Sequence, residues 1–472
     1  MQKNNFFNNL NNYKNRPICT DADSGKSIFF NDISNEIKKI QFFIEKRCLV
    51  FLVCSNTISF LSIYLALMRI KVVPLLLNEK IHISLLSKLI KIYQPNFVFS
   101  PKNLKMKTKC SFYNEFYDIY KNSFPFHEID KRIALLISTS GSTGSKKNVV
   151  CSYENIFFIS HSISKYLKIS SADRPIMTLP TSYVYGLSVI NSHLYKCATI
   201  YFTSKSLINL DFWKRIKKYK ISAFATVPFQ LDILNRIQFE KFDLHYLKYI
   251  TVAGGKTSIS ILKKIYKIFD SKNIKLIPMY GQAEATSRIT YLSSEYLPEK
   301  IGSIGKVIPG GKLYLIDKKK KLIKKPKKIG QLIYRGKNIM LKYANSYKDL
   351  IKIHNVQKEL YTGDLAYKDK NGFYYLVGRI SRQIKFFGNR VNLDEVEAIL
   401  FEYGIDCRCV GKENKIAIFY KNSKLKYKIL QKISSVLNIN TAYVKLFRID
   451  KFFLNSNIKT NYTKLKKMAF DE

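Results

Sequence analysis

The sequence predicts an α/β protein: a large N-terminal domain of helix-flanked, mainly parallel sheets with a small β-barrel-like subdomain, then a small α+β C-terminal domain. Three observations predict it. Short apolar, β-rich runs alternate with segments of helical periodicity from about residue 48 to residue 280. From about residue 300 the runs become shorter and are broken by Gly and Asp turns. After "GRISRQIKFFGNRV" the chain returns to a compact mixture of helices and strands. The cut falls near Arg379, giving domains 1–379 and 380–472. At 472 residues with 46% apolar composition, the chain is long enough for two or three domains with true cores.

The elements follow in order. Residues 1–15 are Asn-rich and expected to be loose. Residues 48 to 68, "CLVFLVCSNTISFLSIYLALM", carry no charge, and by length alone they admit a membrane span. "LVFLVC" is a strand, "SNT" a turn with a helix cap, "ISFLSIYLALMRI" a helix and "KVVPLLL" a second strand. That is a βαβ unit buried on both faces, and no spanning helix is expected. "ISLLSKLIKIY" (helix), "NFVFS" (strand), a linker and "IALLIST" (strand) come next. Helices "NIFFISHSISKYL", "LSVINSHLYK", "LDFWKRIKKYK", "QLDILNRIQ" and "SISILKKIYKIF" then alternate with strands "RPIMTL", "CATIYF", "AFATV", "LKYITVAGG" and "KLIPMYG". Short strands "KLYLID", "KLIKK", "GQLIYRG" and "GFYYLVG" make the barrel-like part. Helices "LDEVEAILFEYG" and "LKYKILQKISSVL" with strands "KIAIFY" and "YVKLFRI" make the C-terminal domain.

The charge balance is extreme, with 80 basic against 34 acidic residues and a net charge of +46. The lysines are spread along the whole chain, among abundant Ile, Asn, Tyr and Phe. Compositional drift and solvated lysine faces account for this better than a nucleic-acid surface, which would gather the charge into a stripe or arm. Eight cysteines lie at scattered positions without a CxxC pair, which disfavours a zinc site or a disulfide framework. With no signal-peptide pattern at the N-terminus, the expectation is a cytoplasmic protein with free thiols.

The stretch "LLISTSGSTGSKKNVV" is the most distinctive. A strand feeding a Gly/Ser/Thr loop presents consecutive N–H groups and hydroxyls to one point, a nest suited to phosphate oxygens. It lacks the Gly-Lys-Ser/Thr ending of a P-loop. Taken alone, it also fits an exposed flexible turn.

Taken with the other motifs, the loop resembles the ATP-binding signature of the adenylate-forming (AMP-binding) superfamily, which holds acyl-CoA synthetases, luciferases and peptide-synthetase adenylation domains. Thr139, Ser140, Gly141, Ser142, Thr143, Gly144 and Lys147 stand in place, while Lys146 replaces a proline and Asn148 a glycine. "LPTSYVYGL" looks like the aromatic gate, with Tyr183 where many members carry His. "TVAGGK" resembles the turn at Gly254 and Gly255 that packs against adenine and the acyl pocket. "MYGQAEAT" is similar to the YGxTE signature and contains Tyr280, Gly281 and Glu284, with Ala283 in place of Thr. "YTGDLA" supplies Asp364. "GRISRQIKFFGNRVNLDEVE" looks like the hinge segment, with Arg379 and Ser381, the latter where Asp is common. "LNSNIKTNYTKL" resembles the segment of the catalytic lysine, with Lys459 in that place and Ile458 replacing a glycine.

The resemblance implies ATP-dependent activation of a carboxylic acid to an acyl-adenylate with release of pyrophosphate. Transfer to a thiol of CoA or of a carrier protein's phosphopantetheine would follow, as in an acid–thiol ligase. It implies Lys459, Glu284 and Thr143 as catalytic groups, and Mg²⁺ held through Glu284 and Thr143. Tyr280 would stack on the base, and Asp364 and Arg379 would meet the ribose. The C-terminal domain would be a mobile lid turning at Ser381. The acyl pocket would draw on Tyr183, Tyr185, Gly186, Val189, Val227, Phe229 and the turn from Ala253 to Lys256. Relatives that activate amino acids place an Asp where Gly186 stands, so an acid without a free α-amino group is favoured. Amino-acid activation for a carrier protein, or a degenerate nucleotide-binding protein without activity, are the alternatives.

Overall fold

The computed structural model describes residues 6–13, 15–102, 104, 110–138, 147–354, 356–387, 389–436, 439–454 and 460–470. The chain divides into two compact units, Met1–Lys312 with Arg335–Leu360, and Leu313–Tyr334 with Tyr361–Glu472. The expected cut at Arg379 lies inside the second of these.

The first unit is built on two mixed sheets. The eight-stranded sheet runs Lys342–Ala344, Asn148–Ser152, Ile133–Ser138, Val73–Asn78, Leu49–Cys54, Phe97–Pro101, Tyr117–Lys121 and Cys110–Phe112. Its middle strands are parallel, as in the pairing of Leu75 with Leu136. The nine-stranded sheet is parallel from Lys275–Tyr280 through Tyr249–Val252, Ala223–Thr226, Pro175–Ile176 and Ile200–Phe202 to Cys19–Asp21, with antiparallel strands at both edges. Two strands, Cys110–Phe112 and Tyr117–Lys121, occupy the segment expected as a linker.

The uncharged stretch is explained by burial within protein. Every residue of Leu49–Cys54 is buried, and nearly every residue of the helix Ile58–Arg69 is too. Thr57 caps that helix by accepting from the Phe60 N–H at 3.2 Å. Twelve residues give a helix of about 18 Å, well short of the roughly 30 Å of a bilayer core. Among the described residues no helix is long and apolar enough to cross a membrane.

The N-terminus corrects the sequence expectation. Phe6–Tyr13 forms a 3₁₀ helix whose Phe6, Phe7, Leu10 and Tyr13 are buried, while Asn8, Asn9, Asn11 and Asn12 face solvent. Tyr13 donates to the Ala198 carbonyl at 2.9 Å, and Phe7 meets Tyr64 edge-on at 5.9 Å. Composition pointed to looseness because the asparagines outnumber the anchors; the spacing of the four apolar residues decides otherwise.

In the second unit, Lys312–Ile316, Gly330–Arg335, Leu360–Lys368 and Tyr374–Arg379 form an open four-stranded sheet, and no closed barrel occurs among the described residues. "KLIKK" is not a strand. Asp317 caps a tight turn by accepting from the Lys319 and Lys321 amides, and only Leu322 bridges back to Ile316. The lysines of residues 318–328 stand exposed. Helices Leu393–Glu402 and Lys426–Ser435 share an apolar core with the sheet Cys407–Lys412, Lys415–Tyr420 and Val444–Arg448. A closing helix, Tyr462–Phe470, seats Leu465 and Ala469 against Val410 and Phe419. Cys19, Cys48, Cys54, Cys151, Cys197, Cys407 and Cys409 are free thiols.

Tyr13→Ala should lower unfolding free energy by about 3–5 kcal/mol, as for other aromatic truncations in cores. Asn12→Ala should stay within about 0.5 kcal/mol. Chemical denaturation of both variants checks this, and equal losses would contradict an anchoring role for the aromatic.

Candidate active site

The Ser/Thr/Gly loop is carried by two antiparallel strands, Ile133–Ser138 and Asn148–Ser152, with Ser138 paired to Asn148. Thr139, Ser140, Gly141, Ser142, Thr143, Gly144 and Lys146 lie outside the described residues, and so do Ile458 and Lys459. The loop base is well defined. Asn148 is buried and is bonded to Ser138 Oγ at 3.1 Å, and its amide donates to Tyr93 Oη at 2.8 Å. Tyr93 Oη donates in turn to the Ala344 carbonyl at 2.7 Å. A glycine at 148 would leave this knot empty, so the departure from the family signature has a structural reason.

Next to the loop base, Lys342–Ala344 pairs with Asn148–Ser152 and sets Tyr343 opposite Val149. Tyr343 donates its hydroxyl to Glu284 Oε1 at 2.7 Å, and Lys147 Nζ sits 3.4 Å from the centre of the Tyr343 ring. Burial and then the Glu284 carboxylate raise the Tyr343 phenol above its usual range, which keeps it a donor. The Glu284 backbone is fixed as well, its carbonyl accepting from Met340 N–H at 2.9 Å. No group of three or more His, Cys, Asp or Glu arranged for a metal occurs among the described residues. A divalent ion at Glu284 would therefore complete its shell with waters and substrate phosphates, as Mg²⁺ commonly does.

Gly281 precedes this turn. A Cβ there would lie 1.9 Å from the Ser287 carbonyl oxygen and 2.7 Å from the Arg288 Cα, so backbone packing alone demands glycine. Tyr280 ends the strand Lys275–Tyr280, half-buried, and Ala283 is buried.

The gate residues start a helix, Val184–Leu194, with Tyr183 as its N-cap residue. Gly186 packs against the chain below it, where a Cβ would meet the Pro180 carbonyl oxygen at 2.4 Å. No larger residue, an aspartate included, fits without moving that turn. Tyr185 is buried and shares a 2.8 Å hydrogen bond with Thr251. Behind the helix lies a cavity whose walls include Ser188, Val189, His193, Tyr249, Thr251 and Arg288. Of the pocket residues expected from sequence, Val189 lines it and Tyr185 adjoins it through Thr251. Phe229 is half exposed and Lys256 exposed, Val227 is buried, and Gly254 and Gly255 form the turn after Tyr249–Val252, none of them in its wall.

Sequence reasoning missed Arg288, Tyr249 and His193. Arg288 is 2% exposed, and its guanidinium lies 3.9 Å from the centre of the Tyr185 ring. Its Nε donates to Met279 Sδ at 3.3 Å and its Nη1 to Ser287 Oγ. The only signal in the sequence was an arginine inside an otherwise apolar or hydroxylated run, "ATSRITYL". His193 donates from Nδ1 to the Val189 carbonyl at 2.8 Å, so its Nε2 accepts from the Tyr249 hydroxyl at 3.0 Å.

In the second unit, Asp364 and Arg379 face each other across paired strands, with Arg379 Nε 3.0 Å from Asp364 Oδ1. Asp364 is buried, and its amide donates to Thr362 Oγ1 at 3.1 Å. Ser381 is exposed within the 3₁₀ turn Ile380–Arg382. The Asp394 carboxylate takes the Arg379 N–H at 2.9 Å and also the Arg382 guanidinium, which reaches Glu397 at 2.5 Å.

A family model for AMP-binding enzymes matches residues 40–344. The chain belongs to that family. It is 27% identical over 299 residues to the luciferin 4-monooxygenase of Photuris pensylvanica, a match covering 61% of this chain and 53% of the relative. It is 27% identical over 292 residues to the oxalate–CoA ligase of Saccharomyces cerevisiae, covering 59% and 51%. The chain thus spans about half the length of the curated relatives it matches. Its fold is similar to that of the Bacillus subtilis o-succinylbenzoate CoA synthetase in complex with an acyl-adenylate intermediate, with a TM-score of 0.80 over 98% of both chains at 19% identity. The same enzyme in complex with ATP and a magnesium ion matches with a TM-score of 0.78, covering 98% of this chain and 99% of that one, again at 19% identity.

His193 gives this region a pH signature. Burial holds its imidazole down at about 4, against 6.5 for an ordinary histidine. Well above pH 6.5 it is neutral in folded and unfolded chains alike. As pH falls from there towards 4, the unfolded chain binds a proton that the folded one refuses, and up to about 3 kcal/mol of stability is lost. In denaturation at pH 7 and pH 4.5, His193→Gln should show a smaller fall than the wild type; parallel falls would assign the acid limb to other groups.

Proposed function

We propose that this protein activates a carboxylic acid with ATP, forming an acyl-adenylate and pyrophosphate, and passes the acyl group to the thiol of CoA or of a carrier protein. The observation that carries the reading is the Tyr343–Glu284 pair fixed beside the base of the Ser/Thr/Gly loop, in a chain of the AMP-binding family. Relatives named as CoA ligases support the thiol as acceptor.

The reaction brings two anions together, a carboxylate and a triphosphate, so the site has to neutralise charge where it gathers. In this reading the loop amides and the Thr139, Ser140, Ser142 and Thr143 hydroxyls hold the β- and γ-phosphates, with Lys147 behind them. Mg²⁺, when bound at Glu284 and Thr143, screens the phosphate oxygens. Tyr343 orients the Glu284 carboxylate by taking up one oxygen, and the other meets no donor among the described residues. Tyr280 and the Gly254–Gly255 turn take the adenine. Asp364 accepts from the ribose hydroxyls, oriented by Arg379. Lys459 lies by the α-phosphate and stabilises the charge that builds as the substrate carboxylate attacks phosphorus and pyrophosphate leaves.

For the second half-reaction we place a functional division at 1–379 and 380–472, with Ser381 as the pivot of a lid carrying Lys459. Gly186 favours simple acids over amino acids, because no carboxylate fits at that position to pair an α-ammonium group.

A hydroxamate screen of carboxylic acids with ATP tests the whole reading. No product across a broad panel, together with no nucleotide binding, would sink it. Lys459→Ala should slow adenylation by about 100-fold or more while sparing thiol transfer from pre-made acyl-adenylate; equal losses in both steps would remove the lysine from the first. Glu284→Ala should abolish Mg²⁺-dependent pyrophosphate release, and unchanged turnover would take it out of the metal site.

A further inference from the structure

The geometry points to Arg288 as the residue that selects the substrate: an acid carrying a second oxyanion, as a small dicarboxylate does, with its far end against this guanidinium. The inference rests on the adenylation reading and names the substrate class of that site.

A guanidinium is costly to bury unless an anion or a full set of acceptors accompanies it. Arg288 is 2% exposed, and no carboxylate pairs with it among the described residues. Its neighbours are an aromatic face, a thioether, a serine and the Tyr166 hydroxyl. None supplies a formal negative charge. Burial pushes the Tyr166 phenol up to about 12 and raises that of Tyr185 further, so both stay neutral. Asp173, whose field reaches His193 and Tyr249, is already held by Lys248 at 2.8 Å and by Ser170. The arginine is therefore a fixed positive charge whose counter-ion is not provided by the described part of the chain.

Its position gives that charge a use. Arg288 follows Glu284 by four residues, and its Cα packs on Gly281, so it stands directly behind the Tyr280–Glu284 turn and forms part of the cavity wall. The Ser188, Thr251 and Tyr249 hydroxyls in that wall are already engaged, by the Tyr185 carbonyl, the Tyr185 hydroxyl and His193, and His193 is neutral, so Arg288 supplies the charge among the described residues of the wall. An acid whose reacting carboxylate faces the nucleotide side of the turn would direct its distal group towards Arg288. A planar guanidinium suits a carboxylate there better than any neutral end group.

The test is ATP-dependent pyrophosphate release with chain-matched pairs: succinate with butyrate, glutarate with valerate and malonate with propionate. We expect kcat/KM to favour the dicarboxylate in at least one pair by about 100-fold, since leaving a buried charge unpaired is heavily penalised. Arg288→Met should erase that ratio, and Arg288→Lys, which keeps the charge but not the fork, should retain part of it. Binding without turnover gives a second measurement. Succinate should raise the Tm of the wild type more than that of Arg288→Met at equal ionic strength; that comparison removes the general stabilisation a dianion gives a chain of charge +46. Monocarboxylates used as well as their partners in all pairs, or a preference that survives Arg288→Met, would overturn the inference while adenylation stands. Silence with every acid, and no nucleotide binding, would bring down the adenylation reading and this one with it.

Discussion

Three antiparallel strands constrain everything proposed for the first unit. Ile133–Ser138 leads into the Ser/Thr/Gly loop, Asn148–Ser152 leads out of it, and Lys342–Ala344 lies along the latter. Because side chains alternate along a strand, a slip of one residue in the last pairing would turn Tyr343 away from Glu284 and lose the Lys147 contact. The buried Asn148–Tyr93–Ala344 knot fixes that register from the other side of the sheet. The chemistry asked of Glu284 thus depends on a hydrogen-bonded ladder whose strands come from positions nearly two hundred residues apart in the chain.

Much of this was legible in the sequence because it is governed by local patterning. Leu49–Cys54, Ile58–Arg69 and Val73–Asn78 follow from apolar runs and a capping threonine, and the structure has them nearly as expected. Elements that depend on distant partners were harder to see. Lys342–Ala344 is three residues long and is a strand only because Asn148–Ser152 is there to pair with it. Tyr462–Phe470 is a nine-residue helix with three lysines, and it is seated by Leu465 and Ala469 on the apolar cluster and by the Tyr462 hydroxyl on Glu397. The N-terminal aromatics were hidden by the asparagines among them.

The same holds at the site. Motifs point to residues whose proposed role is chemical, such as Glu284 and Asp364. They say little about residues whose role comes from their surroundings. Arg288 is one arginine in a chain with 80 basic side chains, and only burial sets it apart. Gly186 and Gly281, expected at the ligand site, carry a second constraint that no motif shows: backbone packing against Pro180 and Ser287 demands glycine at both.

Asp394 has a bearing on any motion about Ser381. One of its oxygens takes the amide on the upstream side of that serine, and the other takes Arg382 on the downstream side. Arg382 is further tied to Glu397 and to the Cys409 carbonyl. Were the chain to pivot at Ser381, the downstream flank would travel as a solid piece, and the Arg379 amide bond and the seat of Gly378 on Asn392 would have to part together.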